Sequence, residues 1–377
     1  MVKSYLRYSP LSTLGIIVSG NSNILCTSPT VSSSGSRAQR TLAVVPALES
    51  IKVWNVKTSV LLATLVDSPS TAEVTVLAQN QKRKNLIAAG YQDGSVRVWS
   101  LSETCNAGEL VVTFNGHKAA VTQLCFDDEG NRLASGSRDT DVVLWDLVSE
   151  EGIVRLRSHQ DQITGLSFFC PVKSSEEGES SVMGDFLLTS GKDGLIKVWD
   201  LSTSFCIETH LAHRGETWAL AVAPSGDTVV TAGPDGELKF WSVNMTKSHD
   251  PDNKLLSQRG AISRANRDKP LSLKFHPSAR FLAVHSANRN IEIFRIKTAE
   301  EIKRQLSRKR KRKSKKESAD GENEGADENN IANEIFAYTT IRASAKVRSL
   351  DWDATVSATS VQVVICSCSL NVASGIS

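Results

Sequence analysis

The sequence predicts an all-β fold in which one antiparallel hairpin unit is repeated along the chain. A short strand that carries an aromatic residue recurs six times, as IKVWNV at 51–56, VRVWSL at 96–101, VVLWDL at 142–147, IKVWDL at 196–201, LKFWSV at 238–243 and IEIFRI at 291–296. The aromatic residues follow one another at steps of 45, 46, 54, 42 and 53 residues. Self-similarity at a fixed period is typical of repeat architectures. The chain therefore reads as a series of similar β units.

A tight turn precedes four of these strands. The turns read YQDG at 91–94, SRDT at 137–140, GKDG at 191–194 and GPDG at 233–236, and the Asp lies six residues before the Trp in all four. Asp-Gly between β-branched runs is a strong hairpin signal, because Gly adopts a positive φ without steric cost. The strand before the turn is also legible, for example RLASG at 132–136, and another precedes it, for example AVTQLCF at 120–126.

A histidine stands ahead of the first strand in three units. His117 lies 22 residues before Asp139, and His213 lies 22 residues before Asp235. His159 lies 34 residues before Asp193, and the polar stretch PVKSSEEGESSVMG at 171–184 accounts for the excess as an inserted loop.

These residues resemble the WD-repeat family. A Gly-His opening, a hydroxyl-Gly-x-x-Asp turn and a Trp-Asp close occur together in Gly116–Asp146, and the resemblance covers about residues 10 to 300. It implies an all-β WD-repeat β-propeller, in which four-stranded antiparallel blades are arranged radially. We expect six recognisable blades and an incomplete or irregular seventh, within a seven-bladed ring. One such sheet cannot bury both of its faces, whereas stacked neighbours bury each other's.

In this family a histidine, a strand hydroxyl, the turn aspartate and the tryptophan form a hydrogen-bonded tetrad inside a blade. By position, the resemblance implies three structural tetrads: His117, Ser135, Asp139 and Trp145; His159, Thr189, Asp193 and Trp199; His213, Thr231, Asp235 and Trp241. Serine, histidine and aspartate are also the components of a nucleophilic triad. Because the set recurs in three successive units at matched offsets, we interpret it as a structural device.

Other chemistry-bearing motifs are missing from the sequence. No phosphate loop, H-E-x-x-H or G-x-S-x-G motif occurs, and the remaining histidines have no metal-ligand spacing. We therefore expect no enzyme activity, no catalytic or cofactor-binding residue, no cofactor and no metal site. Trp218 and Trp352 lie outside the repeated aromatic positions, and core packing is favoured for them over a ligand platform.

The resemblance also suggests a division of the chain. Residues 1–300 form the propeller, with blades that end near 56, 101, 147, 201, 243 and 296. Residues 301–332 form a disordered insertion, basic and then acidic, and 333–377 form a partial seventh blade with an atypical tail. Either Tyr5–Arg7 or Ile16–Ser19 could supply a strand that closes the ring.

Composition bounds the environment of the chain. Its 377 residues are 40% hydrophobic and 23% charged, close to globular averages, and no apolar run approaches the length of a membrane span. Seven cysteines without C-x-x-C spacing indicate free thiols in a reducing compartment, and they disfavour zinc. The chain therefore looks intracellular, without contact to a membrane.

The formal charge of +3 conceals a concentrated basic run. Lys303–Lys316 holds ten Lys and Arg residues, and the next twelve residues hold six acids. The dense part comprises Arg308, Lys309, Arg310, Lys311, Arg312, Lys313, Lys315 and Lys316. A nuclear or nucleolar import signal is our first interpretation. Salt-dependent contact with RNA phosphates is compatible with it, and a merely solvated loop is the bland alternative.

Within the WD-repeat family, the opening MVKSYLRY, the segment 114–147 and IRASAKVRSLDW at 341–352 look similar to the N-terminal propeller of a tandem-propeller component of the small-subunit processome. That resemblance implies a non-enzymatic scaffold of the nucleus and nucleolus for ribosome biogenesis, pre-rRNA processing and snoRNP-associated assembly, in this case in a truncated form. Implied partners are other processome proteins, and pre-rRNA or snoRNA through the basic insertion, with no small-molecule substrate. The alternative is a substrate-recognition module of a ubiquitin ligase or another nuclear interaction scaffold.

Overall fold

The computed structural model describes the chain except for residues 1–7, 11–17, 21, 28–40, 68–69, 103–104, 170–184, 245–253, 299, 306, 308–330, 344–345, 353–360, 368–373 and 377. Within the described residues, 28 strands form seven four-stranded antiparallel sheets, which we call blades 1 to 7. Blades 1 to 6 follow chain order, and each is a meander from one edge of its sheet to the other. The predicted all-β propeller fold is confirmed.

The four strands of each blade are numbered from the first to the fourth position in its sheet. Blade 1 contains Leu25–Thr27, Leu42–Ala47, Ser50–Asn55 and Val60–Leu65; blade 2 contains Val74–Gln79, Leu86–Tyr91, Ser95–Leu101 and Gly108–Asn115; blade 3 contains Val121–Phe126, Arg132–Ser137, Val142–Asp146 and Glu151–Leu156; blade 4 contains Ile163–Phe169, Phe186–Gly191, Leu195–Asp200 and Phe205–Leu211. Blade 5 contains Ala219–Val222, Thr228–Ala232, Glu237–Val243 and Leu256–Ser263; blade 6 contains Pro270–Phe275, Phe281–Ser286, Asn290–Ile296 and Ile335–Arg342; blade 7 contains Val347–Trp352, Val361–Ser367, Ser374–Ile376 and Tyr8–Pro10.

The first strands of the blades lie around a common axis. Each first strand contacts that of the next blade, and the first strand of blade 7 contacts that of blade 1, which completes the ring. Each pair of neighbouring blades from 1 and 2 to 6 and 7 shares a buried apolar cluster. For example, Val230 and Phe240 of blade 5 pack with Leu282 and Phe294 of blade 6. The core is therefore built between sheets, as stacking of thin blades requires.

Blade 7 combines strands from the N-terminal and the C-terminal parts of the chain. Tyr8 pairs with Ile376 and Pro10 pairs with Ser374, so Tyr8–Pro10 is the fourth strand of a sheet whose other strands follow residue 346. The described closing strand directly follows one of the two segments that the sequence suggested, Tyr5–Arg7. Val18 and Ser19 are not in a strand, and Tyr5–Arg7 and residues 16–17 lie outside the described residues.

Blade 6 extends across the charged insertion. Its fourth strand is Ile335–Arg342, which pairs with Asn290–Ile296, whereas the sequence grouped this segment with the seventh unit. A short helix, Ile331–Glu334, precedes that strand, and Ile331 is buried in the core between blades 5 and 6. Residues 300–305 are helical, so the disorder predicted for 301–332 does not extend to its first residues. Residues 308–330 lie outside the described part of the chain.

The Asp-Gly turns form as their residue types demand. Gly94 has a φ of +88°, and a Cβ there would lie 2.5 Å from the backbone oxygen of His117, so only glycine fits. The carboxylate of Asp93 accepts the backbone N–H of Ser95 at 2.9 Å, which closes the turn. The same bond recurs from the N–H of Asp141 to Asp139 at 3.1 Å. Side-chain acceptance of this kind explains why aspartate starts the turn.

Candidate functional site

Four side chains of blade 3 form one chain of hydrogen bonds. The indole N–H of Trp145 donates to Ser135 Oγ at 2.8 Å. Ser135 Oγ lies 2.7 Å from His117 Nε2, and His117 Nδ1 lies 3.1 Å from the carboxylate of Asp139. That carboxylate also accepts the backbone N–H of Lys118 at 2.8 Å. The bonds join the connection before the blade to its second strand, its turn and its third strand.

The electrostatics assign a direction to each bond. Burial lowers the pKa of His117, although the nearby Asp139 carboxylate opposes this, so the imidazole is neutral at pH 7. Burial by itself would raise the pKa of Asp139, but the Lys118 N–H and His117 hold it below its ordinary value. We therefore assign His117 Nδ1–H as the donor to Asp139, and the Ser135 hydroxyl as the donor to His117 Nε2.

Blades 4 and 5 repeat this geometry. The structure brings together His159 Nδ1 and Asp193 at 2.9 Å, His159 Nε2 and Thr189 Oγ1 at 2.8 Å, and Trp199 Nε1 and Thr189 Oγ1 at 3.0 Å. It brings together His213 Nδ1 and Asp235 at 2.7 Å, His213 Nε2 and Thr231 Oγ1 at 3.2 Å, and Trp241 Nε1 and Thr231 Oγ1 at 3.1 Å. The three hydroxyl-bearing residues, Ser135, Thr189 and Thr231, are 0% exposed. A hydroxyl that no substrate can reach favours a structural role over a nucleophilic one.

Blade 2 has no histidine and carries a buried ion pair in its place. Arg97, on the third strand, lies 2.9 Å from the carboxylate of Asp67, which belongs to the connection before the blade. The guanidinium also lies over the ring of Tyr91, 4.1 Å from its centroid. Sequence reasoning missed this pair, because Asp67 belongs to no repeated motif.

Blade 6 also lacks the histidine, and its ion pair has the opposite polarity. Glu292 is on the third strand, and its carboxylate accepts Arg264 Nε at 2.9 Å; Arg264 lies in the connection before the blade. Arg264 Nη2 donates to Ser286 Oγ at 2.6 Å, and the backbone N–H of Asn266 donates to Glu292 at 2.8 Å. The side chains of Arg264 and Glu292 are 0% and 4% exposed.

The first strands surround a central cavity of about 500 Å³. It opens at the end of the ring that carries the Asp-Gly turns and the connections between blades, which we call the rim face. Five basic residues line it, and none of the described lining residues is Asp or Glu. They are Arg138, Lys269, Lys274, Lys346 and Arg348, of which Lys274 is paired with the carboxylate of Asp351 at 2.9 Å. Sequence reasoning missed them, because they are single residues in different connections and strands.

Trp218 also lines the cavity. Its ring lies under Lys269 Nζ, which is 2.8 Å from the ring centroid, and Lys192 Nζ is 5.1 Å away. The core-packing interpretation therefore describes this half-buried tryptophan incompletely. Trp352, in contrast, is buried between blades 6 and 7, and its indole N–H donates to the backbone oxygen of Lys274 at 2.9 Å.

The basic run Arg308–Lys316 lies outside the described residues. In the described part of the chain, no helix is long and apolar enough to cross a membrane. The same residues contain no group of three His, Cys, Asp or Glu side chains placed to hold a metal ion. Two cysteines there, Cys125 and Cys206, are free thiols.

A ring of four-stranded blades, three of them with the histidine, hydroxyl, aspartate and tryptophan set, defines a WD-repeat β-propeller. Residues 41–243, more than half of the chain, match the family described as "WDR3 first beta-propeller domain". The chain belongs to this family.

Comparison with individual proteins gives the same relationship. The chain is 35% identical to "U3 small nucleolar RNA-associated protein 12" of Saccharomyces cerevisiae, over 97% of its own length but 38% of that protein. It is 37% identical to the "WD repeat-containing protein 3 homolog" of Dictyostelium discoideum over 32% of its own length and 11% of that protein. The chain thus spans well under half of each relative. Among solved structures, a chain of the "Crystal Structure of Mitotic Checkpoint Complex" aligns with a TM-score of 0.68, at 15% identity and with 100% and 94% of the two chains covered, and it supports the fold alone.

Proposed function

We propose that the protein is a non-enzymatic nucleolar scaffold for assembly of the small ribosomal subunit and processing of pre-rRNA. The observation that carries this proposal is the 35% identity to a U3 small nucleolar RNA-associated protein across 97% of the chain. The family match over residues 41–243 supports it independently. The partners that we propose are other proteins of the small-subunit processome.

The tetrads are our reason for proposing a scaffold without catalytic activity. The Ser, Thr, His and Asp side chains that could supply a nucleophile and a base are already bonded to one another in three blades. The same bonds hold each connection against its blade. A scaffold needs this rigidity, because its surfaces must keep fixed positions for several partners.

For the basic run we propose nuclear import as the first role and contact with RNA phosphates as the second. A dense cluster of Lys and Arg fits both an acidic import receptor and a phosphate backbone. Replacement of Lys309–Lys313 by alanine in a tagged chain should leave the protein cytoplasmic. The same variant fused to an independent import signal separates the roles: recovered pre-rRNA indicates import alone, and pre-rRNA that is still lost indicates RNA contact. Nucleolar enrichment of the unfused variant would remove the import role.

Affinity purification of the tagged chain tests the proposal as a whole. Proteins of the small-subunit processome and pre-rRNA should be recovered with it, but not with an unrelated WD-repeat propeller of similar size expressed at the same level. Recovery of ubiquitin-ligase subunits without processome proteins or pre-rRNA would contradict the proposal.

A further inference from the structure

We infer that the rim face over blades 5 and 6 binds the phosphate backbone of single-stranded RNA. The site consists of three exposed arginines, which we call the arginine arc: Arg214, Arg267 and Arg289. None of the three lines the central cavity. The inference rests on the proposed scaffold function, and it adds an RNA contact on the folded blades that is separate from the basic run Arg308–Lys316.

Charge is unevenly distributed over the rim face. The described connections and turns from blade 5 to the start of blade 7 hold five cations and three carboxylates, apart from Arg264, which is buried in its ion pair. The cations are the arginine arc, Lys269 and Lys346, and the carboxylates are Glu216, Asp235 and Asp268. The corresponding described segments of blades 1 and 2 hold four carboxylates and no Lys or Arg: Glu49, Asp67, Glu73 and Asp93. A polyanion is therefore attracted to one side of the rim face and repelled from the other.

The arginine arc is not neutralised from within the chain. None of its three guanidinium groups makes an ion pair with a carboxylate in the described residues. Two of the three carboxylates in the same segments are already engaged: Glu216 lies 3.1 Å from Lys192, and Asp235 lies 2.7 Å from His213. The third, Asp268, is half-buried. The guanidinium N–H groups are therefore available to an anionic ligand.

Backbone hydrogen bonds hold the segments of the arginine arc in fixed positions. The connection before blade 6, which carries Arg267, is bound to the turns on both sides of it. The N–H of Arg264 donates to the backbone oxygen of Gly236 at 2.8 Å, and the N–H of Ala287 donates to that of Lys269 at 2.8 Å. The buried ion pair of Arg264 with Glu292 attaches the same connection to its blade. A charge on a fixed backbone loses less conformational entropy when a ligand binds.

The surface around the arginine arc favours RNA over an acidic protein. A protein interface has an apolar centre within a polar rim. In the described connections and turns of blades 5 and 6, no large apolar side chain is among those exposed to solvent. Phosphate groups need no apolar contact, and a guanidinium can bind one through two parallel hydrogen bonds.

The order of the arginines along the ring favours a single strand over a duplex. Arg214 precedes blade 5, Arg267 precedes blade 6 and Arg289 is in the turn of blade 6, so the three follow the circumference of the ring. A single strand can bend along this curve, whereas bending a duplex costs energy. Lys269 covers one face of Trp218, so that face cannot stack on a base. The contact is therefore with phosphates and does not depend on the RNA sequence.

Fluorescence anisotropy with a fluorescein-labelled oligouridine of about 20 nucleotides tests the inference. The purified full chain carries alanine at Lys309–Lys313, so that the basic run does not dominate binding. The double variant Arg267→Gln/Arg289→Gln should weaken binding by about tenfold or more near 0.1 M salt. Each phosphate contact with a single strand contributes about 0.7 to the slope of log K against log salt concentration, so the slope should fall by about 1.4. Arg214→Gln alone should lower it by about 0.7.

The matched control is Arg83→Gln/Arg280→Gln. Both of these arginines are exposed, and each lies in a turn between the first and second strands of its blade, on the face opposite the rim face. The control removes the same charge, so it should change binding by less than about twofold and leave the salt slope unchanged. Thermal unfolding of each variant establishes that it is folded.

Equal binding by the arc variant and the control variant, or no binding of the oligouridine, would overturn the inference. A labelled Asp/Glu peptide of the same net charge that binds as tightly, and with the same dependence on the arginine arc, would overturn it in favour of an acidic protein. If the arginine arc does not bind RNA while the chain still recovers processome proteins from cells, only the RNA site fails. If it binds RNA but those proteins are not recovered, only the proposed function fails.

Discussion

Replacement of the buried Ser135 by alanine should destabilise the propeller far more than replacement of a serine on its surface. Ser135 Oγ is 0% exposed, accepts the indole N–H of Trp145 at 2.8 Å and lies 2.7 Å from His117 Nε2. Alanine leaves one donor and one acceptor buried without a partner. Each unsatisfied buried group costs about 1–3 kcal/mol, so the free energy of unfolding should fall by about 2–6 kcal/mol.

Urea denaturation of the purified chain measures this change, with Ser263→Ala as the matched control. Ser263 is exposed on the fourth strand of blade 5, and its substitution should change stability by less than about 0.5 kcal/mol. A double-mutant cycle with Trp145→Phe isolates the bond to the indole, because phenylalanine has no N–H to leave unsatisfied. Equal effects of Ser135→Ala and Ser263→Ala, or no coupling between Ser135→Ala and Trp145→Phe, would refute a structural role for the tetrad.

Three further predictions follow from the polar contacts between and within blades. Arg264→Met should lower the free energy of unfolding by about 3–5 kcal/mol in urea denaturation, because it leaves the carboxylate of Glu292 buried without its ion pair. The double variant Arg264→Leu/Glu292→Leu should lower it by less, because no charge remains buried. A double variant less stable than the single one would contradict this. Burial lowers the pKa of His285 from 6.5 to about 4, so the unfolded chain binds one more proton between these values. Stability should be full above about pH 6.5 and about 3 kcal/mol lower near pH 4, and His285→Gln should remove this loss; a pH profile unchanged by that variant would contradict the assignment. The salt bridge of 2.9 Å between Lys274 and Asp351 is partly solvated. A double-mutant cycle with Lys274→Met and Asp351→Asn should therefore give a coupling energy of about 1 kcal/mol or less. A much larger coupling energy would show that the pair is fully desolvated.

The repeat signal predicts those parts of the fold in which one residue type is needed at one place in every blade. The aromatic residue on the third strand packs at the boundary with the preceding blade, and Trp145 and Trp199 therefore recur at a readable spacing. Asp139 and its equivalents start turns whose geometry depends on local residues alone. Such features leave a trace in the sequence because a short segment determines them.

Features that depend on closure of the ring leave no such trace. Tyr8–Pro10 is a three-residue strand without a pattern, and it becomes a strand because Ser374–Ile376 offers an open edge. Ile335–Arg342 joins blade 6 across a charged insertion, although its neighbour in sequence is the first strand of blade 7. Arg138 and Lys346 meet at one cavity only because blades 3 and 7 face a common axis. Pairing across long separations of this kind is a property of the folded ring and not of a local pattern.

The blades without the histidine of the tetrad show what the tetrad provides. In blade 3 the connection from the preceding blade is held by His117, in blade 2 by Asp67 and in blade 6 by Arg264. The partner of Asp67 is Arg97 and the partner of Arg264 is Glu292; each stands two residues before the repeated aromatic residue, so one position carries opposite charges in the two blades. In all three blades, the side-chain contact attaches to the blade a connection that has no sheet hydrogen bonds of its own. A buried ion pair can replace a neutral imidazole for this purpose but not for acid–base chemistry at neutral pH, because its guanidinium does not give up its proton. The common requirement at this position is therefore mechanical, and histidine meets it with the smallest burial of charge.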